Sequence, residues 1–248
     1  MSTLSASIGS PARSLTRAYP RRSRFYVGIS LLMITIVALG FWPSYFGPML
    51  RGNIARPWVI QLHGVVYVGW MALLLAQVML VARGRTRAHR SLGRFGIWYG
   101  ALVFVMGIVV SFAAPLLHLA AGEWDMDRAA GFLLIPLGDM VLFGGFFGAA
   151  VAYRRQPDIH KRLIVLATVA LLFAAVGRIS FTQSTPLLLL IWLSPVLVSI
   201  GHEALTSRRL DPVYAFGLVI LAIGAGRVAL VQYEPWLRVA RALLQSLT

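Results

Sequence analysis

Apolar residues in this chain fall in long unbroken runs. They show neither the three-and-four spacing of a helix on a soluble core nor the alternation of a half-buried strand. A helix crossing the hydrocarbon of a bilayer takes roughly 20 mostly apolar residues. Seven runs meet that length: 25–46, 58–82, 93–118, 129–153, 161–182, 186–205 and 213–233. The polar stretches between them are short, so neighbouring helices run antiparallel. The pattern predicts an all-α fold, a polytopic bundle of seven transmembrane helices over 25–233.

The flanks read differently. Residues 1–24 are basic and weakly apolar, which predicts a disordered tail. The last stretch, "EPWLRVARALLQSLT" (234–248), reads as a short amphipathic helix with Pro235 in its first turn. Trp236, Val239, Leu243, Leu244 and Leu247 fall near one face, with Arg238, Arg241 and Gln245 elsewhere. That pattern suits a helix lying on a membrane surface; a seat for a partner subunit is the alternative.

Composition supports the bilayer. The chain is 58% hydrophobic and 12% charged, against about 25% charged in soluble domains. With no cysteine, disulfides, zinc thiolates, iron–sulfur clusters and a thiol nucleophile are excluded. The formal charge of +15 sits in short basic clusters at the ends of apolar runs. A nucleic-acid partner needs a continuous basic face instead, so none is expected.

Those clusters orient the chain. Arg13, Arg17, Arg21, Arg22 and Arg24 lie in the tail, and "RGRTRAHRSLGR" (83–94) joins the second and third spans. Arg154, Arg155, Lys161 and Arg162 join the fourth and fifth, and Arg208 and Arg209 the sixth and seventh. They occupy alternate connections, hence one side, which the positive-inside rule makes cytoplasmic. The opposite connections carry Arg51, Arg56 and Arg128, with Glu123, Asp125 and Asp127 together in one of them. The terminal helix then lies outside. "RRSRF" loosely matches a twin-arginine signal, but the apolar run continues through Phe41 and Trp42, so the first span reads as uncleaved. The acid-free first 120 residues also leave an organellar transit peptide open.

A short internal echo aligns "ARGRTRAHRSLG" with "AYRRQPDIHKRLI", placing His89-Arg90-Ser91-Leu92 against His160-Lys161-Arg162-Leu163. If genuine, spans two–three and four–five are parallel repeats; basic loops before apolar helices also look alike by chance. Through "HRSLG" at 89–93 and "HKRL" at 160–163, residues 58–182 resemble an uncharacterised family of bacterial multi-pass inner-membrane proteins. The resemblance implies a membrane bundle and no particular activity. Histidines at helix ends give a more distant similarity to b-type dihaem cytochromes.

Polar groups inside a membrane normally face the bundle interior or a wet cavity. In the second span His63, Tyr67, Trp70 and Gln77 share one stripe at 100° per residue. It serves either interior packing or a ligand. In the third span His89, Gly93, Gly96, Gly100, Gly107, Ser111 and His118 share a face. Glycines there admit a neighbouring helix closely, or a flat cofactor such as haem with axial ligands drawn from His63, His89, His118 and His160. His89, His160 and His202 all sit at the cytoplasmic side, where a zinc or copper ion could take imidazoles. Alternatively they bond lipid phosphates or loop carbonyls, a reading that Glu203 favours for His202. Asp139, Arg178 and Arg227 lie at similar depth in the outer half and invite ion pairing. They serve as an inter-helix clamp or as a site for an anionic or quinone-like ligand, with Asp139 or His63 handling a proton. His160 and Arg178, 18 residues apart, share a face of the fifth span about 27 Å long.

No phosphate-binding loop, no nucleophile elbow and no lysine in the seventh span for a retinal Schiff base are present. No soluble domain is large enough to act as a sensor. Three functions remain. One is a redox protein holding b-type haem or a histidine-bound metal and receiving a quinone or other lipophilic substrate. The second is a small proton-coupled transporter. The third is an accessory or assembly subunit without a ligand, associating with a membrane partner or with itself.

Overall fold

In the computed structural model, residues 15–53, 56–179, 184–208 and 211–247 are described, with side chains from Arg24 onward except that of Ser207. Arg13 and Arg209, and the side chains of Arg17, Arg21 and Arg22, lie outside the described residues.

Helices account for the architecture, and no strand occurs among the described residues. They are α1 (Leu15–Phe41), α2 (Trp58–Ala82), α3 (Thr86–Ala120), α4 (Met126–Ala152), α5 (Pro157–Leu171), α6 (Thr185–Ser207), α7 (Pro212–Ala225) and α8 (Glu234–Gln245). Helix α1 runs on through a π-helical turn, Trp42–Phe46, and one α-turn, Gly47–Leu50; α5 resumes after Leu172 as Phe173–Val176; α7 tightens into a 3-10 segment, Gly226–Leu230. Seven of these elements, all but α8, are long and apolar enough to cross a membrane. The chain is a multi-pass bundle of transmembrane helices.

Local chemistry sets the helix ends. Gly84 (φ +73°) and Gly122 (φ +69°) turn the chain after α2 and α3 in a left-handed conformation that side chains disfavour. Asp125 caps α4 by accepting from the Arg128 N–H at 2.7 Å. Asp211 caps α7 by accepting from the Val213 N–H at 2.9 Å. Two boundaries differ from the sequence expectation. Helix α1 begins at Leu15, so the last ten residues of the stretch read as a disordered tail are helical. Helix α3 begins at Thr86, so most of the basic connection 83–94 belongs to the helix and carries His89 in its first turn.

Helix α5 is the hub. In its apolar window 56% of residues are buried, against 22–39% in the other spans. Leu163 and every residue from Val165 to Ala170 are buried. It packs against α4, α6 and α7, and its continuation meets α1. Trp192 of α6 is fully buried and donates its indole N–H to the Val169 carbonyl at 2.8 Å. Helices α2 and α3 flank α1 and α4 on the outside. The amphipathic α8 lies against α4, with Leu237, Ala240 and Leu244 buried against Ala129, Ala130 and Leu133. Its face is therefore split: Leu244 seats on the bundle as one edge, while Val239, Leu243 and Leu247 stay exposed.

Candidate functional site

The basic connections do share one end of the bundle. There Lys161 lies 5.5 Å from the Tyr26 ring, His202 stacks on Phe25 with centroids 3.8 Å apart, and Arg162 joins three helices. Arg162 donates through Nε to Glu203 at 2.9 Å and pairs through Nη2 with Glu203 at 2.8 Å and Asp211 at 3.1 Å. Its Nη1 donates to the Asp158 carbonyl at 2.5 Å, and its guanidinium lies 5.9 Å from the Tyr214 ring. This clamp ties α5 to α6 and α7, and the sequence reading assigned Arg162 only to topology. A signal was present: Glu203 and Asp211 are acids at an end otherwise selected for arginine.

At the same end His89 and His160 each have one ring nitrogen committed. The Gln77 amide, with its nitrogen toward the ring, donates to His89 Nδ1 at 2.7 Å. His160 Nδ1 donates to the Ala150 carbonyl at 2.8 Å. The two halves of the sequence echo thus sit in different environments, one on a flanking helix and one on the hub. His202 spends its ring on Phe25. Among the described residues no three or more His, Asp or Glu side chains converge as a metal site would require.

The α2 stripe faces inward as expected. Tyr67 donates to the Val103 carbonyl of α3 at 3.2 Å and touches Met140 Sδ of α4 at 3.6 Å. Trp70 donates to Thr168 Oγ1 of α5 at 3.3 Å and meets Phe143 and Phe147 edge-on. The glycine face of α3 is occupied. A Cβ on Gly100 would lie 2.5 Å from Phe147 Cε1, and one on Gly107 would lie 2.5 Å from the Tyr67 hydroxyl oxygen. Phe147, Met140 and Tyr67 fill the space that a planar macrocycle would need. The residues present do not fit a haem on that face. His118 does not complete such a site either: it is half exposed, bonded to Glu123 at 2.5 Å and stacked on Trp124 at 4.2 Å.

Away from the basic end, midway along α4, lies the most deeply buried charge pair among the described residues. Asp139 of α4, three residues past Pro136, is 4% exposed, and Arg227 of the 3-10 segment is 8% exposed. They form a salt bridge through Asp139 Oδ1 and Arg227 Nη2. Arg227 also donates to the Gly224 carbonyl at 2.6 Å and lies 4.9 Å from the Phe173 ring. Gly138 makes the approach possible, since a Cβ there would sit 2.5 Å from Arg227 Cδ. The expected third member is absent from the pair: Arg178 bonds the Ala174 carbonyl at 2.6 Å and lies 4.9 Å from the Phe41 ring. It stays within electrostatic reach of His63. His63 tilts against Tyr67 with centroids 4.0 Å apart, and its Nδ1 is buried with no hydrogen-bond partner, as is Arg227 Nε.

All eight acids are engaged. Asp139 holds Arg227, Asp158 holds Lys161, and Glu203 and Asp211 hold Arg162. Asp127 and Glu234 hold Arg241, Glu123 holds His118, and Asp125 is a cap. Hydrogen bonds that Arg241 donates to Asp127 and Glu234 push the pKa of its guanidinium above the ordinary value. Only Asp139 among them lies midway along a span, paired there with Arg227.

Fold and site define a class: a multi-pass α-helical membrane protein with a charged interior. The chain matches no protein-family model, no curated protein and no solved structure.

Proposed function

We propose that this is a small proton-coupled transporter of the bacterial inner membrane, with its basic end cytoplasmic. The observation that carries the reading is the buried Asp139–Arg227 pair midway along a span, with the His63 imidazole on the neighbouring helix packed on Tyr67, which itself reaches Met140 next to Asp139 in sequence. Charges at such depth are costly and normally serve an ion or substrate path. The pair suggests how coupling works. A proton arriving at Asp139 cancels the carboxylate charge and leaves Arg227 without its counter-ion in a medium of low dielectric. Arg227 then requires another anion, so a proton and a small anionic solute enter together and leave together. His63, whose buried Nδ1 has no partner among the described residues and whose ring packs on Tyr67, is the candidate to pass the proton. Orientation rests on the arginine bias of alternate connections.

The test is proton uptake by proteoliposomes with an entrapped pH dye, offered small monocarboxylates or inorganic phosphate from outside. Uptake that depends on the solute and disappears in Asp139→Asn supports the reading. Absence of uptake with every solute, or an unchanged Asp139→Asn, overturns it. The redox alternative draws on His160 alone, whose Nδ1 bond to a carbonyl leaves Nε2 for a ligand. An absorbance spectrum without a Soret band, on a metal-free preparation, removes it.

A further inference from the structure

A second feature lies on the outside of the bundle, at the basic end. Helices α3 and α4 border an apolar groove there of about 600 Å³, lined by Ile97, Ala101 and Val105 on one side and Val141, Gly148 and Val151 on the other. Its extent is informative. From Ile97 to Val105 is eight residues, about 12 Å of helix, and from Val141 to Val151 is ten, about 15 Å. Half of a ~30 Å hydrocarbon core is about 15 Å. The groove therefore runs from the membrane surface to its midplane, the depth of one leaflet.

The surface end is basic. Arg154 donates through Nη1 to the carbonyl of Val151, a lining residue, at 2.9 Å, which folds its guanidinium over the lip. Arg94 precedes Ile97 by three residues and Ala101 by seven, so it continues the lining face of α3. Helical side chains lean toward their own N-terminus, which carries the Arg94 guanidinium toward the surface. Both residues are exposed. The salt bridges at this end join Asp158 to Lys161 and Glu203 and Asp211 to Arg162. The groove floor is open as well: a Cβ added at Gly145 or Gly148 would meet nothing within 4 Å.

We infer that this groove is a binding site for one anionic phospholipid of the leaflet at the basic end, with an acyl chain along Gly145 and Gly148 and the phosphate between Arg94 and Arg154. The charge at the lip selects the occupant. A zwitterionic lipid gains little there, and a second copy of this chain would bring the same arginines against these. The bilayer supplies the ligand, and the site is independent of Asp139 and of transport.

The experiment is native mass spectrometry of the whole protein released from nanodiscs of equimolar phosphatidylglycerol and phosphatidylcholine. The wild type should retain one phosphatidylglycerol, enriched about 25-fold over phosphatidylcholine, the product of about fivefold from each of two arginines near an anionic headgroup. Gly148→Leu fills the floor without touching backbone and should abolish retention of the lipid. Arg94→Gln and Arg154→Gln leave the groove intact and should each cut the preference about fivefold. Equal retention of the two lipids, or retention unaffected by Gly148→Leu, overturns the inference. So does a dimer mass that Gly148→Leu converts to monomer, which would make the groove a subunit interface.

Discussion

The Asp139–Arg227 pair allows a quantitative test of whether it acts as more than a clamp. Consider Asp139→Leu, Arg227→Met and the double variant. Both side chains are under a tenth exposed, so removing one strands the other as an uncompensated charge. Breaking a buried pair from one side costs about 3–5 kcal/mol. Arg227→Met should be the costlier single change. It also releases the Gly224 carbonyl and the Phe173 ring contact, the latter worth about 0.5–2 kcal/mol. The double variant replaces the pair by apolar groups of similar volume, which is often neutral or stabilising. The double-mutant cycle should therefore show a coupling of at least about 3 kcal/mol, whereas an exposed pair gives about 0–1 kcal/mol. Reversible unfolding in mixed micelles, as the denaturing detergent fraction rises, measures it. Singles each within about 0.5 kcal/mol of wild type, with a double equal to their sum, would refute the buried-pair energetics. The same proteins separate fold from function. A well-folded double variant that still takes up protons with a solute would show that the pair is structural only and sink its role in coupling.

Three further outcomes follow from the packing. Arg162→Lys should lose stability by about 1–3 kcal/mol in the same assay, because an ammonium cannot reach Glu203 and Asp211 with the fixed fork of a guanidinium; a neutral result would mean the clamp is not formed. Gly100→Ala should destabilise by about 1–3 kcal/mol through overpacking against Phe147, while Gly145→Ala, facing open space, should not, so equal effects at both positions would contradict the placement of the glycine face. Leu244→Ala should cost about 2–5 kcal/mol locally and release α8 from α4, seen as faster proteolysis after Arg238 or Arg241 with the rest of the bundle intact.

Much of this protein is written in its linear pattern. The spans were legible because hydropathy against a bilayer is a local property: a run of about 20 apolar residues has the same consequence wherever it stands. The shared end of the basic connections followed from their alternation, and the inward face of α2 from the 3.6-residue period that aligns Tyr67, Trp70 and Gln77. Even the boundary error at α3 is local, since Arg87, Ala88, Arg90 and Leu92 are good helix formers whose charged company disguised them as loop.

What the tertiary structure alone decided is which apolar surfaces meet. Lipid tails are as apolar as leucine, so hydropathy does not distinguish a face toward the bilayer from one toward another helix. Nothing in the α5 run marks it as the hub, and nothing in the α3 glycines says that Phe147 and Met140 will fill them. The charge partners are likewise remote, with Asp139 and Arg227 separated by 88 residues and Arg162 and Glu203 by 41. Similar depth made Arg178 as good a candidate for Asp139 as Arg227. The packing of α7 against α4, with Gly138 yielding the space, chose between them, because a Coulomb interaction in low dielectric depends on angstroms that only the assembled bundle sets.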